Sequence, residues 1–479
     1  MSTTYSTPSG YITDVGYMPT FTHFVAPDWL DLTALISGFA PPARADGFAF
    51  CELACGCGLT SAVLAATHRE GVFHAVDLMP GHIAFAHRLV ERIGIVNLTL
   101  HEMDFARAAR LGLPRFQYIV AHGVYSWVGA QAREDLRSFI DRCLAPDGLV
   151  YLSYNAMPGW AADLPFRYLV ATLAHRVSGD SIERYDAAEA ALRRLSTAGM
   201  PALRISPIFT RFLAKQRRRL PVSYFAHEYL APAWQPFYVT EVRAELATIG
   251  LRPVGAATLT DNFDSFVLQA AQRDALAEID DDDLRELVRD CMLMSRFRRD
   301  VFSRGATRLT KGEQRRNILG RRFALMVPEP LVAYLMRTAA GSLRFDNSLA
   351  RRIVAALSQS PQQLRSVGQP AREIVANALT LACAGIIRPV SKLDTPVDNL
   401  NSAFAEFDSE PIPLPFRALP SGTALELEPA LHRYLRRRGR LPRRLQAWPE
   451  FLARATCAKG TSQSGSHPRQ KRRRDRAKP

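Results

Sequence analysis

"CELACGCGLTSAVLAA", Cys51 to Ala66, places one acid, two glycines and three cysteines in eight positions and then turns apolar. Three chemistries suit such a stretch: a metal site, a redox centre, or a glycine turn that holds a cofactor. Cys51, Cys55 and Cys57 stand at C-x₃-C-x-C, which matches no common zinc spacing. No Cys or His cluster lies close enough in sequence to complete a tetrahedron, so no metal is expected.

The stretch reads instead as strand, turn and helix. "FAFCELA" ends a strand near Glu52. Gly56 and Gly58 let the backbone turn tightly and approach a ligand, and "LTSAVLAA" opens a helix whose N-terminal amides face that ligand. The next strand ends in Asp77, 25 positions after Glu52 (77 − 52), where a carboxylate can accept both hydroxyls of an adenosine ribose. Asp104, in "LHEMDFA", is placed for an adenine amine. An E-x-G-x-G-x-G frame with an acid on the first strand differs from the dinucleotide frame G-x-G-x-x-G. Together these features favour S-adenosylmethionine (SAM).

Outward from the turn, "FAFCELA", "VFHAVDL", "NLTLHEM", "FQYIVAHG" and "GLVYLSY" alternate with helix-compatible sequence. That rhythm implies an α/β fold with a parallel sheet wound by crossovers. A helical insert is expected over about 161–226, followed by "LRPVGAATL" and "SFVLQAA" as a closing strand pair. "EIDDDDLRELVRDCMLMSRFRRDVF" is read as starting a helix, with its aspartates where the macrodipole favours them. The expected division is an N-terminal lid segment 1–45, a SAM-binding domain 46–275, a regulatory, mainly helical and winged-helix-like C-terminal domain 276–392, and a proline-broken linker with a basic, largely disordered tail 393–479.

The net charge of +15 suggests a nucleic-acid binder until it is located. From Arg433 onward there are 16 Lys+Arg and 2 Asp+Glu, so the 432 residues before it carry 45 against 44 and are nearly neutral. The tail could hold anionic polymers without sequence preference; the body carries no such signature. No basic n-region precedes Arg44 and no run approaches a membrane span, while seven scattered cysteines suit a reducing compartment. A cytoplasmic location is expected.

"CELACGCG", "AVDLMPGHIAFA", "AHGVYSWV" and "APDGLVYLSYNAMPGW" together resemble bacterial class I SAM-dependent methyltransferases that carry a methyltransferase regulatory domain, among them the rickettsial protein-lysine methyltransferases. The resemblance continues through "YFAHEYLAPAWQPFYVTEV" and "LVRDCMLMSRFRRDVF" and covers roughly residues 10 to 390. It implies a Rossmann-like sheet, SAM as cofactor, and a protein lysine as acceptor. The family frame has glycine where this chain has Ala54, a substitution tolerable where φ is negative.

Cofactor contacts are therefore expected from Glu52, Ala54, Gly56, Gly58, Asp77, Asp104 and His122. The acceptor side is expected where strands four and five end. There His122 would act as base or orienter, Tyr125, Tyr154 and Asn155 would border the methyl group, and Trp127 and Trp160 would chiefly pack. Tyr11, Tyr17 and His23 belong to the lid, which the resemblance places over the cofactor. His227 and Glu228 lack the second histidine of H-E-x-x-H, since Ala231 stands there; the resemblance assigns them to the regulatory domain at the acceptor mouth. Amino-methylating DNA enzymes carry N/D-P-P-Y after strand four, and this chain has "HGVY". Protein-lysine methylation is the leading expectation. A small-molecule or sugar/lipid acceptor and a non-catalytic binding protein are the alternatives, and a homodimer is a further partner reading.

Overall fold

The computed structural model describes residues 10–44, 47–212, 217, 220–390, 397–407, 414, 416–419, 422–437 and 442–456. Its centre is a seven-stranded sheet: β1 Phe48–Leu53, β2 Gly71–Asp77, β3 Leu98–Glu102, β4 Phe116–Ala121, β5 Leu144–Asn155, β6 Arg252–Ala256 and β7 Phe297–Ser303. Every residue of β1 is buried, which is why it reads as an apolar run rather than an alternation.

The strand order is β3-β2-β1-β4-β5-β7-β6. β1 to β5 pair in parallel, whereas β7 runs antiparallel to both β5 and β6. Leu53 is in register with Val76 and with Ala121, and Asp77 with Glu102. The carboxyl ends of β1, β2 and β4 therefore meet at one edge, at the point where the strand order reverses and ligand crevices form.

The closing strand pair differs from expectation. β6 falls within "LRPVGAATL", but its partner is β7, and "SFVLQAA" begins two short helices, Asp264–Val267 and Ala270–Ala277. The acidic helix does form, over Asp282–Leu293, with Asp281 accepting from the Leu284 amide at 2.6 Å. Met294 then enters the left-handed region at φ 51° and ends it, so "FRRDVF" becomes sheet.

Between β5 and β6 lie the helices Leu164–Ala174, Ser181–Thr197, Val222–Leu230 and Val239–Ala247. A capping box of Asp180 and Glu183 starts the second of them. Phe166 and Phe225 are fully buried in the aromatic core they share with Trp160, Tyr185 and Tyr229. Each such phenylalanine contributes roughly 2–3 kcal/mol, and truncating either to alanine would open this layer.

The later helices Lys311–Gly320, Ser348–Gln359 and Ala371–Cys383 pack with a small sheet in the order Gln362–Gln363, Arg322–Leu325, Ile387–Pro389. The hairpin Leu335–Thr338/Gly341–Arg344 buries Met336 in the same core as Ile353 and Leu381. The N-terminal helix Pro27–Ile36 is tied to this module by Asp31, which pairs with Arg321 at 2.8 Å and also with Arg44. The region from 393 departs from the linker reading, since its described residues form the helix Asp398–Glu406, the hairpin Phe416–Leu419/Thr423–Glu426 and the helices Pro429–Arg437 and Trp448–Thr456. Phe407 packs on Phe85, ring centres 5.1 Å apart, and Glu406 pairs with Arg92, so this part lies against the sheet domain. The cluster "KRRRDR" lies outside the described residues. Among the described residues, no helix is long and apolar enough to cross a membrane.

Candidate active site

Beyond β1 the backbone enters the left-handed region three times, at Ala54 (φ 56°), Gly56 (φ 54°) and Gly58 (φ 66°). At Gly56 an added Cβ would meet no atom within 4 Å, and the residue lines a cavity of about 1060 Å³. Its missing side chain leaves room for a ligand against the backbone. Gly58 does not line that cavity. A Cβ there would come 2.8 Å from that of Ala86, so this glycine lets the turn approach the helix Pro80–Ile93. The condition set for Ala54 is not met: φ is positive, at a cost of about 1–2 kcal/mol, and the residue lines the cavity.

Asp77, at the end of β2, also lines the cavity and is heavily engaged. One oxygen accepts from the Gly56 amide at 2.8 Å, the other from the Met79 amide at 2.9 Å and from His82 Nδ1 at 3.1 Å. The Tyr17 amide donates to His82 Nε2 at 3.0 Å, so the ring proton sits on Nδ1 and points to Asp77. The Thr60 hydroxyl donates to the Thr20 carbonyl at 3.2 Å and accepts from the Thr22 amide at 3.1 Å. Tyr11, Tyr17, Met18 and Thr20 thereby become cavity wall; His23 does not, and packs on Phe24 and Trp29.

Glu52 accepts a hydrogen bond from the buried Ser61 hydroxyl. Burial pushes its carboxyl up to about 7, with the Ser61 bond opposing and the Asp77 charge adding to the rise. Asp104 caps the short helix Phe105–Ala108 through the Arg107 amide, 2.7 Å, and lines the cavity.

Past β4 and β5, His122 and Asn155 reach the wall, together with Trp127 and Trp160. His122 Nδ1 lies 2.7 Å from the Tyr151 hydroxyl, and burial, then the Arg299 charge, lowers its pKa to about 3. A base that weak is poorly matched to an ammonium. Asn155 is buried and its Nδ2 has no hydrogen-bond partner among the described residues, a donor left for a ligand. Tyr125 and Tyr154 require correction. The Tyr125 hydroxyl donates to Glu245, Tyr154 donates to Asp300 at 2.7 Å, and neither lines the cavity.

The remaining wall comes from far along the chain: Tyr224, His227, Glu228 and Tyr229 on the helix Val222–Leu230, then Arg296, Phe297 and Arg299. Arg296 lies 4.0 Å over the Trp160 ring. No sequence motif marks Tyr224 or Arg299 as cavity residues. His82 carries a local signal, a histidine on the first helical turn after a strand-terminal aspartate.

Residues 50–148 match the family described as a methyltransferase domain, and residues 221–304 the one described as a predicted methyltransferase regulatory domain. An uncharacterized protein of Synechocystis sp., sll1526, is 32% identical over 355 residues, covering 74% of this chain and 70% of that one. The chain belongs to the SAM-dependent methyltransferases that carry a regulatory domain. Rickettsia prowazekii RP028, also uncharacterized, is 29% identical over 148 residues, or 31% of this methyltransferase and 58% of that protein. PKMT2 from Rickettsia typhi, solved in complex with AdoHcy, has the same fold: TM-score 0.66 over 88% of both chains at 17% identity. In this methyltransferase the regulatory match spans β6 and β7 as well as the helix bearing Glu228, so it completes both sheet and cavity.

The residues present fit SAM. The wall combines an open glycine cradle at Gly56, a strand-end carboxylate at Asp77 and the orphaned donor of Asn155.

Proposed function

We propose that this SAM-dependent enzyme methylates protein lysine side chains. The observation that carries the reading is the lining of the cavity: Glu228, Tyr17, Trp127, Trp160, Tyr224 and Tyr229 all border the space that also holds the glycine turn, and Tyr17, Tyr224 and Tyr229 lie near enough to feel the Glu228 charge. Ring faces and an acid together suit a long cationic amine. A cavity of about 1060 Å³ is at the top of the usual range for one small ligand, and gives space for a cofactor and a side chain.

Asp77 would receive the ribose hydroxyls, Asp104 the adenine amine, and Glu52 with the amides after Gly56 the methionine end. SAM, when bound, supplies an electrophilic methyl carbon on a sulfonium. The protein's task is to align the amine with it and exclude water. Tyr11 and Tyr17 cover the cavity from the N-terminal segment, Asn155 offers its free donor, and the aromatic wall holds the acceptor.

Purified protein is incubated with SAM and a bacterial protein extract, and also with a metabolite extract. Mass spectrometry should find one-methylene gains on lysine. Gains confined to metabolites would replace lysine by a small-molecule acceptor.

A further inference from the structure

Five carboxylates line the cavity, and four have clear partners. Glu52 is held by Ser61, Asp77 by two amides and His82, Asp104 by the Arg107 amide, and Asp135 by the Gln131 amide nitrogen at 3.1 Å. Glu228 is the exception: among the described residues nothing donates a hydrogen bond to its side chain. It shares a helix face with Tyr224, four residues before it, and the adjacent His227 also lines the cavity.

The two cations whose charges reach it hydrogen-bond elsewhere, each keeping one nitrogen without a partner among the described residues, Arg167 Nε and Arg296 Nη2. Arg167 donates to the Ala231 carbonyl at 2.6 Å and lies over the Trp234 ring at 4.2 Å. Arg296 donates to the Gly159 carbonyl at 3.1 Å, pairs with Asp163 and covers Trp160. The other titratable groups around Glu228 are Tyr11 and Tyr17 from the N-terminal segment and Tyr224, His227 and Tyr229 on its own helix. Burial raises the Glu228 carboxyl to about 7 despite the opposing pull of Arg167 and then Arg296. The imidazoles are weaker bases: His122 is lowered to about 3, and His227, whose Nε2 donates to the Val15 carbonyl at 3.0 Å, to about 4.

Resting on the lysine reading, we propose that Glu228 is the catalytic proton acceptor for the incoming ammonium. Its carboxylate first holds the cation among the rings. It then takes one N–H proton and becomes a neutral acid, which frees the nitrogen lone pair. That pair forms the N–C bond to the methyl carbon while the C–S bond breaks and its electrons pass to sulfur. The products are a methylammonium and a neutral thioether, and Glu228 returns its proton to water as they leave. A residue supplied by the regulatory segment thus performs chemistry.

The test uses full-length protein and a lysine substrate found by the extract experiment, in single turnover from about pH 6 to 10. Wild-type rate should rise through an inflection near 7, the Glu228 carboxyl value. Glu228→Gln should lose the inflection and fall roughly 100- to 1000-fold at neutral pH. The deficit should shrink toward the amine's own pKa of about 10.4. Glu228→Asp should keep the inflection at reduced rate, and calorimetry should find S-adenosylhomocysteine affinity unchanged in both variants. Wild-type rate and profile in Glu228→Gln overturn the proposal while leaving lysine as acceptor. A wild type that methylates only metabolites overturns both.

Discussion

The backbone amide of Tyr17 and Nε2 of His82 are 3.0 Å apart, and the far nitrogen of the same ring faces Asp77. One imidazole therefore joins the N-terminal segment to the carboxylate expected to receive the ribose. His82→Ala should weaken S-adenosylhomocysteine binding about tenfold, the value of one or two such hydrogen bonds, and should speed proteolysis within residues 10–22. His82→Gln, which keeps an acceptor, should restore part of both. Calorimetry and timed proteolysis would read this, and unchanged digestion in the alanine variant would dismiss the latch.

Ala54 holds a left-handed conformation beside the cavity. Ala54→Gly removes that strain, partly offset by the freer unfolded chain, for a net stabilisation of about 1 kcal/mol. It also removes a methyl from the wall, so cofactor affinity should rise or hold. Denaturant midpoints and calorimetry on the two proteins decide it.

Glu52 has its carboxyl raised to about 7 in the folded chain, by burial first, against about 4.3 when unfolded. The folded state thus binds this proton more tightly. The associated stability is fully present below about pH 4.3 and is lost as pH climbs through 7. Glu52→Gln should flatten the decline of urea midpoint across that window. An unaltered slope would place the effect on other groups.

Tyr125→Phe is expected to leave transfer within about twofold of wild type while lowering stability by about 1 kcal/mol. Its hydroxyl serves Glu245 and Arg137, not the cavity. A large fall in turnover with normal stability would return Tyr125 to the acceptor pocket.

The cofactor half of the cavity was legible in the sequence because it is local: a strand, a turn with two glycines, and a strand-terminal aspartate. Direction was less visible. Asn155 and Tyr154 are neighbours on β5, yet alternation sends only Asn155 to the cavity, while Tyr154 turns to Asp300 on β7. β7 itself was hidden because nothing in "MLMSRFRRDVF" announces the left-handed break at Met294. Glu228 stands in the sequence beside a metal pattern it lacks; its surroundings come from segments around residues 17, 167 and 296, which only the fold brings together.

Among the described residues the antiparallel strand β7 is the one partner of β6, and it shields the flank of β5. During synthesis the five parallel strands leave the ribosome roughly 150 residues ahead of it, and translation proceeds at about 5–20 residues per second. For some ten seconds or more the nascent chain therefore carries an open edge at β5 and an unfinished cavity. Chaperone protection would be concentrated in that interval, and a stall before Ser303 would leave a chain with its glycine turn in place and no closed site.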